Sequence, residues 1–221
     1  SAARATLGLY PVPDATGYGL VRRDDDGSVL EFLEKPDRPR PGEINAGTYV
    51  LEHSALDLVP DGRMVSIERD VFPRMIGEGL FGIPLEGYWI DIGTPDRNLK
   101  ATWDILERRV ATGLGEALDE DGQLLAEDAQ RAAGAEVKGP ALVESGVRIE
   151  QGATVGPRAA LAPGCEIGAG AAVTSSVLLE GCRIGAQASI DGSILGVGVE
   201  VEDGARVEAG SVIGAGERVS A

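Results

Sequence analysis

Residues 149–190 read IEQGATVGPRAALAPGCEIGAGAAVTSSVLLEGCRIGAQASI, and their spacing decides the fold. An aliphatic residue returns every sixth position, at Ile149, Val155, Leu161, Ile167 and Val173. One five-residue step leads to Leu178, and the six-residue steps resume at Ile184 and Ile190. Working outward, the period runs back to Val143 and Val137. Forward, after a second five-residue step, it runs through Leu195, Val201, Val207, Ile213 and Val219. Two residues before the aliphatic position a small residue is usual, as at Ala153, Ala159, Cys165, Ala171 and Cys182, and glycine often follows it, as at Gly156, Gly168 and Gly185. A period of six with one large and one small inward residue describes a three-sided parallel β-helix, whose tight corners require small residues. The same register predicts that Cys165 and Cys182 share one side of adjacent coils, about 4.8 Å apart along the stack. Both are expected as reduced thiols serving as small core residues.

Composition sets the outer bounds. A chain of 221 residues allows one large domain or two small ones. Aromatic residues make up only 4% and glycines number 32, which fits a fold with many tight corners. The net charge of -16 argues against a basic nucleic-acid-binding surface. It leaves nucleotide binding open, because one Lys or Arg and a metal suffice for that. Two cysteines give no disulfide framework. No apolar run has the length of a membrane span and the N-terminus has no signal-peptide core, so a soluble, cytoplasmic chain is the expectation.

Upstream of the repeat the pattern alternates strands and short helices. Residues 6–12 read as a strand, and Leu20 to Arg23 with Val29 to Leu33 read as a hairpin turned by Asp24-Asp25-Asp26-Gly27-Ser28. Ile44 to Leu51 and Leu80 to Leu85 are further strands, and short helices begin at Ser54 and Ser66, the second expected to be kinked or kept short by Pro73. The stretch Gly87-Tyr88-Trp89-Ile90-Asp91-Ile92-Gly93-Thr94-Pro95 reads as a strand running into a helix that Thr94 caps and Pro95 opens. That helix carries Leu99, Trp103, Ile105, Leu106 and Val110 along one face and is expected to stop at Gly113. Residues 111–134, rich in Ala, Gly, Glu and Asp, read as a linker with one short strand at Leu124-Leu125. The expected division is 1–110, a linker over 111–134, and the β-helix over 135–221. Asp91 stands in an apolar run where the strand should end, and an unpaired buried charge is costly there. Two readings follow: a core carboxylate satisfied by backbone donors, or a metal ligand.

Four stretches now line up in order: Gly17-Tyr18-Gly19, Phe32-Leu33-Glu34-Lys35-Pro36, Asn45-Ala46-Gly47 and Gly87 to Pro95, all ahead of hexapeptide repeats. Together they resemble the sugar-nucleotide pyrophosphorylase (nucleotidyltransferase) family, in wording closest to its mannose-1-phosphate guanylyltransferase members. The resemblance implies an α/β partial nucleotidyltransferase domain of Rossmann-like type followed by a left-handed parallel β-helix. It implies that a sugar 1-phosphate oxygen attacks the α-phosphorus of a nucleoside triphosphate. Pyrophosphate leaves and an NDP-sugar such as GDP-mannose forms, a reaction that needs positioning and charge neutralisation. It further implies that Lys35 holds the sugar phosphate and that Glu34 accepts from sugar hydroxyls. Asn45 and Gly47 contact the sugar, and the Gly19 backbone approaches it. Asp91 is one of two aspartates holding Mg²⁺.

Family members open with a Gly-rich phosphate loop after a first strand and carry the second metal aspartate at the end of a central strand. The resemblance places Ser1 past both, so the chain alone is expected to have little activity. A homo-oligomer, or a partner chain with the missing half, is the implied assembly; nucleic acid and membrane are not implied partners. Two other functions remain open. One is a non-catalytic regulatory or scaffold subunit. The other is a hexapeptide-repeat acyltransferase, which ordinarily needs a His base between coils. The one histidine, His53, lies far upstream of the repeat.

Overall fold

A computed structural model describes residues 3–221. The chain forms two compact units that divide between Trp89 and Ile90. In the first, a five-stranded sheet is built from β1 (Ala5–Val12), β2 (Gly19–Arg23), β3 (Val29–Glu34), β4 (Gly42–Leu51) and β5 (Leu80–Pro84). The order is β3-β2-β4-β1-β5; β1 and β5 are parallel and the other neighbours antiparallel. The hairpin forms where expected, and the Asp24 and Asp26 carboxylates both accept from the Ser28 amide, at 2.8 and 2.9 Å. One sheet face is buried by α1 (His53–Leu56), a π-helical turn (Ile67–Val71) and α2 (Phe72–Met75), with Leu7, Val21, Val29, Phe72 and Met75 at the centre of the core. Pro73 stands in the first turn of α2, where its missing N–H costs nothing.

Two local expectations are corrected. Gly87 to Ile92 form no strand. Gly87 has φ +95°, which breaks an extended path. The stretch instead packs against β1: the Tyr10 hydroxyl donates to the Gly87 carbonyl at 3.0 Å, and Tyr10 stacks on Trp89 with ring centroids 5.4 Å apart. Nor does Gly113 end the following helix. That helix, α3 (Pro95–Leu106), stops earlier, where Arg108 takes up φ +57° and its guanidinium donates to the carbonyls of Gly115, Leu118 and Asp119. Gly113 instead opens α4 (Gly113–Ala117), capped by the Thr112 hydroxyl, which accepts from the Gly115 amide at 3.0 Å. Thr94 does stand at the N-cap position of α3 and Pro95 is its first residue, but among the described residues the Thr94 side chain makes no capping hydrogen bond.

The second unit is dominated by a parallel β-solenoid. Three sheets of six, five and six short strands run from Gln123–Leu125 to Arg218–Val219. The first strand contains the expected Leu124-Leu125 pair. With Gln130–Arg131 it starts the first coil inside the segment read as a linker. Every aliphatic position of the repeat lies on a strand, and the inward stacks are in register: Val143, Leu161, Leu178, Leu195 and Ile213 on one side, Ile149, Ile167, Ile184, Val201 and Val219 on the next. Cys165 and Cys182 precede paired strands, share one side of adjacent coils, and are buried free thiols. The hydrogen bond to Cys182 and burial hold the Cys165 thiol well above the ordinary range. Among the described residues no helix is long and apolar enough to cross a membrane.

Ile167 is fully buried, whereas Val212 is 53% exposed on an outer face. Ile167→Ala should cost about 3 kcal/mol through lost burial and a residual cavity, and Val212→Ala less than about 0.5 kcal/mol. Urea denaturation followed by circular dichroism checks this; equal shifts for the two variants would contradict the inward assignment.

Candidate functional site

The sugar-site residues named above fall on neighbouring strands of the first unit. The β2–β3 register sets Gly19 opposite Glu34. The β2–β4 register sets Leu20 opposite Ile44, so Asn45 lies one step further, level with Gly19. Glu34, Gly19 and Asn45 thus form a row across three strands. The middle position has no side chain for a physical reason. A Cβ at Gly19 would lie 2.8 Å from the Phe32 ring and 3.1 Å from Glu34 Oε2. Glycine leaves room for the Glu34 carboxylate beside the β2 backbone.

Glu34 is the electrostatic centre of the row. Its Oε2 is buried and has no hydrogen-bond partner among the described residues. Burial pushes its pKa up, and the Glu68 carboxylate pushes it further, while Lys35 and Arg69 oppose the shift. A buried acceptor without a donor costs about 1–3 kcal/mol, which a hydroxyl-bearing ligand relieves. Lys35 follows at the strand end with an exposed side chain and φ +53°. Its amide donates to the Tyr18 carbonyl at 2.9 Å, which holds this left-handed conformation.

Asn45 is 6% exposed, and its polar atoms are engaged within the unit. Nδ2 donates to Tyr49 Oη at 2.8 Å and to Glu68 Oε1 at 2.6 Å, and Oδ1 accepts from the Gly47 amide at 3.1 Å. Leu7 pairs with Tyr49 and Leu9 with Asn45, so Ala46 to Thr48 lie opposite Gly8 alone, and β4 bulges. Gly47 takes φ +77° in this bulge, a conformation that glycine adopts without strain. Tyr49, its phenol pKa pushed up mainly by burial, stays neutral and donates to Glu68 Oε1 at 3.2 Å. Trp89 closes the group: its indole N–H donates to the Ala46 carbonyl at 3.2 Å, and its ring meets Tyr10 and Tyr18 at 5.4 and 5.8 Å.

Sequence reasoning missed Glu68, Tyr49 and Trp89 as members of this group. Trp89 stood inside a quoted motif. Glu68 carried no local signal: it lies on the π-helical turn capped by Ser66, among residues read as a plain helix. Only the fold brings it to Asn45.

Asp91 belongs to the second unit. It is neither at a strand end nor deeply buried: its side chain is 40% exposed. Oδ1 accepts from the Gly93 amide at 2.9 Å, and Oδ2 from Arg97 Nη1 at 2.8 Å. Among the described residues no group of three or more His, Cys, Asp or Glu side chains could hold a metal ion. A single accessible carboxylate still fits Mg²⁺, which is commonly held by one or two carboxylates together with substrate phosphates and water.

Comparison with known proteins bears on what these residues serve. Residues 1–108 match the family model described as nucleotidyl transferase, and residues 137–221 match the one described as GMPPB C-terminal domain. Over 158 residues the chain is 36% identical to the mannose-1-phosphate guanylyltransferase of Mycobacterium tuberculosis, covering 70% of this chain and 42% of that protein. It is 32% identical over 218 residues to mannose-1-phosphate guanylyltransferase 1 of Arabidopsis thaliana, covering 98% and 56%. With the UTP–glucose-1-phosphate uridylyltransferase of Synechocystis it shares 29% identity over 198 residues, covering 80% and 48%. The chain spans about half the length of these curated relatives. With its motifs in order, its solenoid in place and both family models matched, this chain belongs to the nucleotidyltransferase family.

Proposed function

We propose that this chain carries the sugar-phosphate half of a sugar-1-phosphate nucleotidyltransferase, with mannose 1-phosphate as its sugar substrate and GDP-mannose as the product of the complete enzyme. The carrying observation is the buried, partnerless Glu34 Oε2 beside the side-chain-free notch at Gly19. A carboxylate there accepts from sugar hydroxyls, and the exposed Lys35 ammonium, one residue on, neutralises the sugar phosphate. Asn45, with both amide hydrogens committed, holds the bulge and Glu68 rather than donating to the sugar. The names of the relatives support mannose and a guanine nucleotide. In the reaction, a phosphate oxygen of the sugar forms a bond to the α-phosphorus of GTP as the bond to pyrophosphate breaks. The chain's part is to hold and orient that oxygen. Mg²⁺, when bound, would neutralise phosphate charge, with Asp91 as one ligand after release from Arg97. A cytoplasmic setting belongs to this reading.

Two measurements test it. In isothermal titration the chain should bind mannose 1-phosphate more tightly than glucose 1-phosphate. Glu34→Gln and Lys35→Ala should each weaken binding about 10- to 100-fold. Binding of neither sugar phosphate would remove the proposal. Alone, the chain should release little pyrophosphate from GTP. Mixed with a chain supplying the phosphate loop and second aspartate, it should form GDP-mannose in a Mg²⁺-dependent way, and Asp91→Asn should lower the rate at least about 100-fold.

The raised pKa of Glu34 adds a stability test. The native state holds this proton more firmly than the unfolded chain, whose reference value is 4.5. The contribution of Glu34 to stability is therefore full below that value and is lost as pH rises through the native pKa. Glu34→Gln should match the wild-type Tm near pH 4 and exceed it by about 2–4 °C at pH 7. Differential scanning calorimetry at both pH values checks this, and a lower Tm for the variant at pH 7 would contradict it.

A further inference from the structure

Arg97 stands on Asp91 where a metal cation would have to bind. Asp91, Gly93 and Arg97 all lie at the start of α3, within the second unit. The turn between them fixes the carboxylate. Oδ1 accepts from the Gly93 amide at 2.9 Å, and a Cβ at Gly93 would lie 3.0 Å from that same oxygen. Glycine there lets the aspartate fold back onto the chain two residues on, as this side chain commonly does in turns. The other oxygen, Oδ2, accepts from Arg97 Nη1 at 2.8 Å. Arg97 is the third residue of α3, so the helix fixes where its side chain begins. The two side chains are 41% and 40% exposed. An ion pair this open to water is weak, so it holds the carboxylate and can still be exchanged.

We propose that Arg97 is a latch on Asp91: its guanidinium holds Oδ2 against a divalent cation and gives it up only when phosphate arrives together with the metal. The inference rests on the reading of Asp91 as a Mg²⁺ ligand given above. Among the described residues no group of three or more His, Cys, Asp or Glu side chains could hold a metal ion. Asp91 therefore meets a metal that comes alone with a single carboxylate, already paired. Arg97 adds a like charge at close range, which opposes that approach. With phosphate present the exchange leaves neither side chain without a partner. Asp91 passes from Arg97 to the metal, whose remaining positions suit phosphate oxygens and water. Arg97 passes from Asp91 to phosphate oxygens, which its planar guanidinium takes in a bidentate way. Every charge is paired before the exchange and after it. Arg97 is thus a positioning residue: it keeps Asp91 turned onto Gly93, ready as a ligand, and makes metal loading conditional on the phosphate substrate.

The test titrates the whole chain with Mn²⁺, a paramagnetic ion that takes the same oxygen ligands as Mg²⁺, and reads broadening of the Gly93 amide signal in proton–nitrogen correlation NMR spectra. That amide touches Asp91 Oδ1, so it reports on this carboxylate and not on the other acidic side chains of a chain with net charge -16. Arg97→Ala should broaden at about 5- to 20-fold lower Mn²⁺ than wild type, and Arg97→Lys should stay within about 3-fold of wild type. Asp91→Asn keeps an oxygen for the Gly93 amide and should abolish the broadening, alone and combined with Arg97→Ala. Inorganic pyrophosphate added equimolar with Mn²⁺ should act in opposite directions: wild type needs less Mn²⁺, and Arg97→Ala needs more, because pyrophosphate then only competes for the metal. Equal Mn²⁺ requirements for wild type and Arg97→Ala, with broadening still removed by Asp91→Asn, would overturn the latch and leave Asp91 as a metal ligand. Pyrophosphate shifting both proteins the same way would reduce Arg97 to a screening charge and overturn the exchange. Broadening that survives Asp91→Asn, or is absent from every protein, would overturn the ligand reading and the latch with it. If Arg97→Ala does not fold by circular dichroism, Arg97→Gln, which keeps most of the side-chain stem, is read in its place.

Discussion

The structure of the second unit rests on one constraint: each coil must place one large aliphatic side chain inward on each of three sides, in register with the coil below. Parallel strands about 4.8 Å apart allow that stack to be continuous, so Val143, Leu161, Leu178 and Leu195 are all fully buried. The two five-residue steps do not disturb it. They shorten corners and leave the pairing of Leu161 with Leu178 and of Leu178 with Leu195 intact. Glycines and other small residues at the corners follow from the sharp turns, and the outward positions are free to vary.

The first unit obeys a different logic. Its sheet buries one face under Phe72 and Met75, while the polar row of Glu34, Gly19 and Asn45 lies near one end of three antiparallel strands. Here hydrogen bonding, rather than apolar burial, determines the arrangement. Asn45, Tyr49 and Glu68 satisfy one another, and Trp89 anchors the bulge through the Ala46 carbonyl. Glu34 is the exception, with a buried oxygen that finds no partner among the described residues and a second carboxylate nearby. Such an unrelieved group is tolerated where a ligand completes it, at a cost in stability of the unliganded fold.

Much of the fold was legible because its signals are periodic. The six-residue repeat assigned the large inward positions of the solenoid from Val137 to Val219, including the shared side of Cys165 and Cys182, but not the first coil, whose Leu125 stacks under Val143. The Asp24–Ser28 turn announced its hairpin. Errors arose where one local pattern suited two conformations. Gly87 to Ile92 alternates like a strand, but its Trp89 finds partners in Tyr10 and Tyr18. Gly113 looks like a helix stop, but Arg108 ends the helix first, by bonding to carbonyls up to eleven residues ahead.

The sequence by itself determined the solenoid, the strands of the first unit and the family, because inward periodicity and ordered motifs are properties of spacing along the chain. The identities of Glu34, Lys35, Asn45 and Asp91 as chemically notable residues were visible in the same way. Only the tertiary structure decided what surrounds them. Whether Glu34 keeps a free oxygen, whether Asn45 has donors to spare, and whether Asp91 is buried or paired with Arg97 all depend on groups brought near by folding, such as Glu68, 23 residues beyond Asn45. Hydrogen-bond partnership and desolvation are properties of neighbours in space, and a linear pattern does not contain them.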